Sequence, residues 1–557
     1  MRNPFAIKED PQNPIPNEAF GWRVYWVAFA ATWVRIHGLL KSISAGCADL
    51  CEASAMYGYD SAFIGGTLNL HSFQQAYGLT PTSVTSLSSN IVSTFQGGAF
   101  FGVILGTAFS EYFGRRWVIC GSGVVFIAGA AIQLIGQLGA LYGGRVLTGL
   151  GVGASSVLVP IYIGECSPAP IRGRLIGIFE IMLQIALVFG FWVNYGVNLN
   201  ISSSTDKQWH IPVAVQLVPS GLLVISMFWT IESPRWLISK GHKEQALKAL
   251  SWVRNLPADH EYVQREMAEM SAAVDHEIEL TGGKTMTLAT LKELKNSSIR
   301  NRILICVALM LLQNLTGINA INYYSPTIFK SIGFTGTSTG LLATGVYGLV
   351  KMFTTVVFML FIVDRFGRRF PLLVGALGAG FAMFYMGAYA KISGSFDRLP
   401  PADAGANAAV AMIYLYAIFY GFSWNGIPWI FAAEVLPTRV RGLGMMCAVC
   451  MQWLAQFMIV YSLPYMVKSI KYGMFFFFAA CTCVAFLFAY FFVPETKGVT
   501  LEDMDLLYGP HAPTFARAKR RAYDDAHRSG LTSNRLYAME NEKNGMEDEL
   551  EERVETV

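Results

Sequence analysis

Three charged side chains stand alone in long apolar runs, where charge is costly and therefore informative. Arg145 is the only charge between Trp117 and Gly164. A guanidinium left in lipid needs a partner or a wet cavity; the alternative is a side chain that snorkels to the surface. Asp60 closes the first hydrophobic block in Gly58-Tyr59-Asp60 and is a second rare acid. A carboxylate that alternates between a nearby cation and apolar surroundings can release and regain a proton at each change. A static buried ion pair, or an Asp60 at the outer rim of its helix, would be the plainer outcome. Lys351 lies in a stretch otherwise uncharged from Gly333 to Ile362. It cannot easily snorkel from there, so it should face a cavity, where a cation suits an anionic ligand. No metal-ligand spacing, nucleotide motif or nucleophile triad accompanies these residues, so neither enzyme chemistry nor a bound metal or cofactor is expected.

The elements that must carry these charges are membrane helices. Of 557 residues, 53% are hydrophobic and 14% are Asp, Glu, Lys or Arg, with a mean hydropathy of +0.41. Soluble domains carry about 25% charged residues. The apolar residues come in long uncharged runs, and only helices satisfy their backbone within such runs. The stretch from Gly143 to Arg174 shows the design. Nineteen uncharged residues separate Arg145 from Glu165, enough to cross most of a bilayer. Gly149, Gly151, Gly153, Ala154 and Ser155 leave room for a neighbouring helix. Nine scattered cysteines, mostly in apolar runs, read as packing residues. The net charge of +4 says little about partners.

Twelve spans are expected, near 24–66 (interrupted), 91–110, 117–136, 140–164, 175–195, 211–231, 302–326, 340–363, 371–391, 409–432, 443–464 and 473–493. They group into a tail (1–22), a six-helix bundle (23–234), a polar helical segment (235–298), a second six-helix bundle (299–493) and a tail (494–557) expected to be disordered or regulatory. Short loops with Arg115 and Arg116, Arg172 and Arg174, Arg365, Arg368 and Arg369, and Arg439 and Arg441 fall on one side, whereas 66–90 holds no Lys or Arg. Both termini and 235–298 are therefore expected in the cytoplasm. The halves also repeat. Phe113-Gly114-Arg115-Arg116 recurs as Phe366-Gly367-Arg368-Arg369. Glu165 with Arg172-Gly173 recurs as Glu434 with Arg441-Gly442. Glu232-Ser233-Pro234-Arg235 recurs as Pro494-Glu495-Thr496-Lys497. Parallel repeats of this kind place a ligand site between the halves at mid-depth.

These repeated motifs, with Pro494-Glu495-Thr496-Lys497-Gly498 and Gln313-Asn314-Leu315-Thr316-Gly317-Ile318-Asn319, resemble the sugar porter family of the major facilitator superfamily, from about residue 55 to 500. The resemblance implies an all-α membrane protein with twelve transmembrane helices in two six-helix halves. It implies a plasma-membrane carrier, monomeric and binding no nucleic acid, that takes up sugars or related polyols. Asp60 beside Arg145 resembles the pair that proton-coupled members use. Hydrogen-bonding positions of the family fall on Glu180 (usually Gln) and Gln184, on Gln313, Asn314 (usually Gln) and Asn319, and on Trp429, Gln452 and Trp453. Arg115, Arg116, Glu165, Arg172, Glu232, Arg235, Arg368, Arg369, Glu434, Arg441 and Glu495 then look like charge clusters that latch the cytoplasmic side. Lys351 stands where sugar porters commonly have Asn. With Phe191-Trp192-Val193-Asn194-Tyr195-Gly196, it resembles the quinate-permease-like branch of fungal sugar porters, with Glu180 as a counter-ion in the empty state. The reading is a proton symporter of a carbohydrate acid, such as quinate or galacturonate, or a sugar. The alternatives are a neutral hexose or pentose carrier, in which Lys351 forms a structural pair with Glu180, and a transporter-like nutrient sensor.

Residues 34–52 depart from that pattern, putting Arg35, His37, Lys41, Asp49 and Glu52 into what should be one helix. Deleting them joins Trp33 to Ala53 in a continuous span. Nineteen codons keep the frame, a Val codon begins GT and one Glu codon ends AG, as a retained intron would. A real insertion folded as a loop or re-entrant piece is the alternative.

Overall fold

The computed structural model describes residues 49–80, 83–168, 172–281, 295–331, 336–396, 404–437, 440–497, 499, 504–508 and 513–528. The expected tail 1–22, the start of the first span and residues 34–48 lie outside these. Asp49–Glu52 form the first turn of a helix, and Glu52 is buried, accepting a hydrogen bond from the Ser226 hydroxyl at 3.1 Å.

The chain is built of helices in two sets of six. The first set is α1 (Asp49–Thr67), α2 (Val84–Phe113), α3 (Arg115–Gln133), α4 (Leu138–Cys166), α5 (Arg172–Asn200) and α6 (Lys207–Met227). The second is α7 (Ser297–Pro326), α8 (Thr337–Ile362), α9 (Arg369–Ser393), α10 (Ala404–Gly421), α11 (Arg441–Ser469) and α12 (Gly473–Phe492). Eleven of these are long and apolar enough to cross a membrane. The exception is α1, which carries Asp49, Glu52 and Asp60.

Packing follows the small residues. A β-carbon on Gly153 would sit 2.0 Å from the Ala99 carbonyl oxygen, and one on Gly149 would sit 2.1 Å from that of Phe95. Only glycine allows α4 to lie this close to α2, the packing mode of membrane helices. Large apolar side chains such as Phe101, Phe109, Val124, Phe353, Leu377 and Phe381 stay exposed. In a membrane that outer surface meets lipid.

Breaks in the helices, absent from the expected spans, lie where the two sets meet. The α7 helix is interrupted at Thr316–Gly317, with Gly317 at φ +94°. The tenth span stops at Gly421 and resumes as Ile427–Val435, with Pro428 in its first turn. The last turn of α8, Phe358–Ile362, is a π-helix.

The Arg-Gly loops gather at one end of the bundle. Glu232 caps α3 by accepting the backbone N–H groups of Arg115 (2.9 Å) and Arg116 (3.2 Å). Burial pushes the Glu232 carboxyl above its ordinary range, against those N–H bonds. Glu495 repeats the arrangement, accepting from the N–H groups of Arg368 (2.8 Å) and Arg369 (3.1 Å). At the same end lie Pro234–Ser239, Lys243–Arg254 and Glu261–Thr281, the expected polar segment. Arg254 pairs with Glu266 at 2.6 Å and donates to the Cys166 carbonyl at the end of α4.

The tail does not match the expected disorder as far as Arg528. Met504–Tyr508 and Ala516–Arg528 are helices docked under the second set. Ala516, Lys519 and Tyr523 form the buried stripe of the latter, Phe515 packs on Phe491 and Phe492, and Arg520 donates to the Glu495 and Lys497 carbonyls.

Candidate functional site

The sequence leaves Arg145 and Asp60 alone on their helices, and the fold puts them together. Arg145 Nη1 lies 2.9 Å from Asp60 Oδ1 and 3.0 Å from Oδ2, and both side chains are 0% exposed. The guanidinium also donates to the Ile91 carbonyl and lies between the rings of Phe63 and Phe95. Removing one member of such a pair typically costs about 3–5 kcal/mol.

Beside Asp60, Ser61 reaches a small cavity of about 50 Å³ between the two sets. Helices α1, α5, α7, α8, α10 and α11 all line it. Of the expected residues, Glu180, Gln184, Gln313, Asn314, Asn319, Lys351, Trp429 and Gln452 face it. Trp453 does not. It is fully buried behind the wall, against Tyr57 and Phe95, with its indole N–H on Ser156. One turn further along α11, Gln456 takes the lining position and donates to the Tyr323 hydroxyl. Tyr57, Tyr420 and Asn425 line the cavity as well and were not singled out from sequence.

The polar groups divide sharply. Amide nitrogens are used by the protein: Gln313 donates to the Trp424 and Asn425 carbonyls, and Gln452 donates to the Tyr57 hydroxyl. Their amide oxygens, and that of Gln184, have no hydrogen-bond partner among the described residues. Buried acceptors left open in this way call for donors such as hydroxyls.

Lys351 is 2% exposed, and its ammonium lies 5.7 Å from the centre of the Tyr420 ring. Among the described residues it makes no hydrogen bond and no ion pair within 4 Å. The expected contact with Glu180 is therefore not a direct salt bridge. Glu180 Oε1 instead accepts from Gln184 at 2.8 Å and from Asn425 at 2.7 Å. Two amides can hold the carboxylate where it stands, and the ammonium faces the cavity.

A second, smaller and mostly apolar cavity shares Glu180 and Trp429 with the first and runs toward the arginine-bearing end, past Pro160, Gly177, Met359 and Met445. The charged clusters lie beyond it. Arg115 pairs with Glu165 at 3.0 Å, and the Ser233 hydroxyl donates to the same carboxylate. Arg368 pairs with Glu434 at 2.6 Å, and Thr496 donates to it. Arg116 and Arg369 turn to the carbonyls of Phe228 and Tyr490. Arg441 donates to the Leu436 carbonyl. These bonds join elements of the same set. The side chain of Arg172 lies outside the described residues. At the opposite end the sets meet directly: the Ser89 hydroxyl donates to the Tyr461 carbonyl and Asn198 donates to Ser338 at 2.8 Å.

Two six-helix sets around a shared polar cavity, with discontinuous helices at its wall, define a membrane transporter of the major facilitator type. Residues 47–508 match the family model described as sugar (and other) transporter. The probable quinate permease of Neosartorya fischeri is 43% identical over 515 residues, 90% of each chain. The quinate permease of Emericella nidulans is 41% identical over 540 residues, 94% of this chain and 96% of that one. The proton:xylose symporter XylE, solved with 6-bromo-6-deoxy-D-glucose, has a TM-score of 0.70 at 26% identity, covering 87% of this chain and 99% of that one. The chain belongs to the sugar porter family. It is a multi-pass membrane transporter of the sugar or quinate type, not an enzyme.

Proposed function

We propose that the chain is a proton-coupled importer of a polyhydroxylated carboxylic acid of the quinate or galacturonate type, working by alternating access. One observation carries the substrate class: a buried ammonium, Lys351, faces the cavity without a hydrogen-bond partner among the described residues, beside the open amide oxygens of Gln184, Gln313 and Gln452. An anion answers the first and hydroxyls answer the others, and an acid that is also a polyol supplies both. The names of the quinate permeases support the same class. Asp60 is the proton carrier, held by Arg145 when charged, and the proton coupling named for XylE supports that role. The arginine-bearing end faces the cytoplasm, as the loop charges suggest. In this reading the membrane is the plasma membrane, and the carrier acts as a monomer, since one chain supplies the whole cavity lining.

The test is uptake into cells lacking their own carriers, comparing quinate, galacturonate, glucose, xylose and glycerol. Acids should be preferred. Lys351→Asn should weaken apparent affinity for the acid roughly ten- to a hundredfold, because charge-assisted hydrogen bonds contribute about 1.5–3 kcal/mol. A wild-type carrier that takes xylose and ignores acids, with Lys351→Asn affecting expression alone, would return it to the neutral-sugar carriers.

A further inference from the structure

Asn425 sits in the break of the tenth span, between Gly421 and Ile427, and is 5% exposed. The break holds it firmly. Its backbone N–H is bonded to the Tyr420 carbonyl at 3.0 Å, its own carbonyl accepts from Gln313, and neighbouring Trp424 is fully buried with its indole N–H on the Leu372 carbonyl. From this mount the side chain reaches across to the other set. Its amide nitrogen donates to Glu180 Oε1 at 2.7 Å and to the Thr355 hydroxyl at 3.2 Å, and its amide oxygen accepts from Gln184 at 3.4 Å. Gln184 closes the triangle by donating to the same Glu180 oxygen at 2.8 Å.

We infer that Asn425 is a positioning residue for charge selection: by tethering Glu180, it keeps that carboxylate out of direct salt-bridge contact with Lys351 and so leaves the ammonium open to the anion of the substrate. The inference rests on the acid reading above and explains how that reading survives an anion built into the same wall. A carboxylate and an ammonium lining one cavity attract each other strongly in a low dielectric. Left free, Glu180 would compete with the substrate for Lys351. Two charge-assisted amide bonds hold it instead, one of them from the other half of the transporter. That cross-half bond exists only while the two halves approach each other here. The tether is therefore in place in the state described.

The test is a cycle on the full-length carrier with labelled quinate in proteoliposomes, reading KM and kcat separately. Asn425→Ala should raise KM tenfold or more with little change in kcat. Asn425→Ser, which keeps one donor, should fall between Ala and wild type. Adding Glu180→Gln to Asn425→Ala removes the competing charge and should bring KM back to within about threefold of wild type. A merely structural role would give a variant that neutralising Glu180 cannot rescue. The inference is overturned by an unchanged KM in Asn425→Ala, or by a raised KM that Glu180→Gln leaves in place. A wild type that carries xylose but no acid overturns the acid reading itself, and this inference with it.

Discussion

Arg145 and Asp60 are held by geometry that leaves little slack. Two contacts near 3 Å, two aromatic rings and no exposure mean that the pair is intact in this state. Asp60→Asn keeps the volume and a weaker hydrogen bond but cannot carry a proton. The expected result is loss of uphill accumulation and of its pH dependence, with exchange of substrate across the membrane partly retained. Accumulation in the variant that a protonophore still abolishes would contradict the role given to Asp60. Both residues were legible in the sequence because each is an isolated charge in an apolar run. Lys351 was legible for the same reason. Asn425 and Gln456 were not, since neutral amides are ordinary in long chains and only the fold shows which of them turn inward. Trp453 misled because its neighbour Gln452 does line the cavity; two adjacent helical positions point about 100° apart.

The α2–α4 contact, at the scale of elements, was foreshadowed by the glycines of the fourth span. Their purpose goes beyond close packing. Bringing α4 against α2 puts the Arg145 side chain within reach of the Ile91 carbonyl and the Phe95 ring. Gly153→Leu would force the helices apart, and overpacking of this kind costs about 1–3 kcal/mol. The purified variant should melt several degrees lower than wild type. Apparent affinity should change less, because the cavity walls on α7, α8 and α10 are untouched; an unchanged melting temperature would mean the contact is looser than described. The helix breaks were not legible. Gly317 and the Gly421–Asn425 stretch read as ordinary residues of apolar spans, because hydropathy reports burial and not backbone direction. The order of the spans and their repeat were legible, because twofold duplication leaves matching charged loops at matching places.

Docking of Ala516–Arg528, at the scale of the whole molecule, ties the chain's tail to the bundle. Lys519 lies beneath this helix, its ammonium 4.1 Å from the Tyr508 ring, which itself lies beside Arg302. Burial, and then the Arg302 charge, pull the Lys519 amine down from 10.5 to about 8. Release of the helix lets it return toward 10.5. Docking therefore carries its full penalty below about pH 8 and sheds it as pH rises from about 8 to 10.5. Hydrogen exchange of this helix, corrected for intrinsic rates, should slow more between pH 7 and pH 9.5 than exchange of Lys243–Arg254 does. Lys519→Met should protect the helix already at pH 7 and flatten the dependence. Equal protection of the wild-type helix at both pH values would remove Lys519 from the account. The tail's composition, basic and then acidic, gave no sign of this seat, because the stripe of Ala516, Lys519 and Tyr523 is recognised only against the surface it covers.

The fixed positive charge of Lys351 also sets an electrical property of the transport cycle. Lys351 stays with the protein, so on the proposed acid reading what crosses is the substrate anion together with any proton on Asp60. With one proton per monovalent acid, the loaded carrier moves no net charge. A membrane potential does work of about 2.3 kcal/mol per elementary charge per 100 mV only when charge moves. Quinate accumulation in proteoliposomes should accordingly follow the pH gradient and ignore a potassium-valinomycin potential, whereas a neutral sugar carried with a proton would respond to both. Quinate uptake that rises with an inside-negative potential would mean that more than one proton travels with each anion. On the electroneutral cycle, a cell with a collapsed potential but an acidic exterior could still fill itself with the acid.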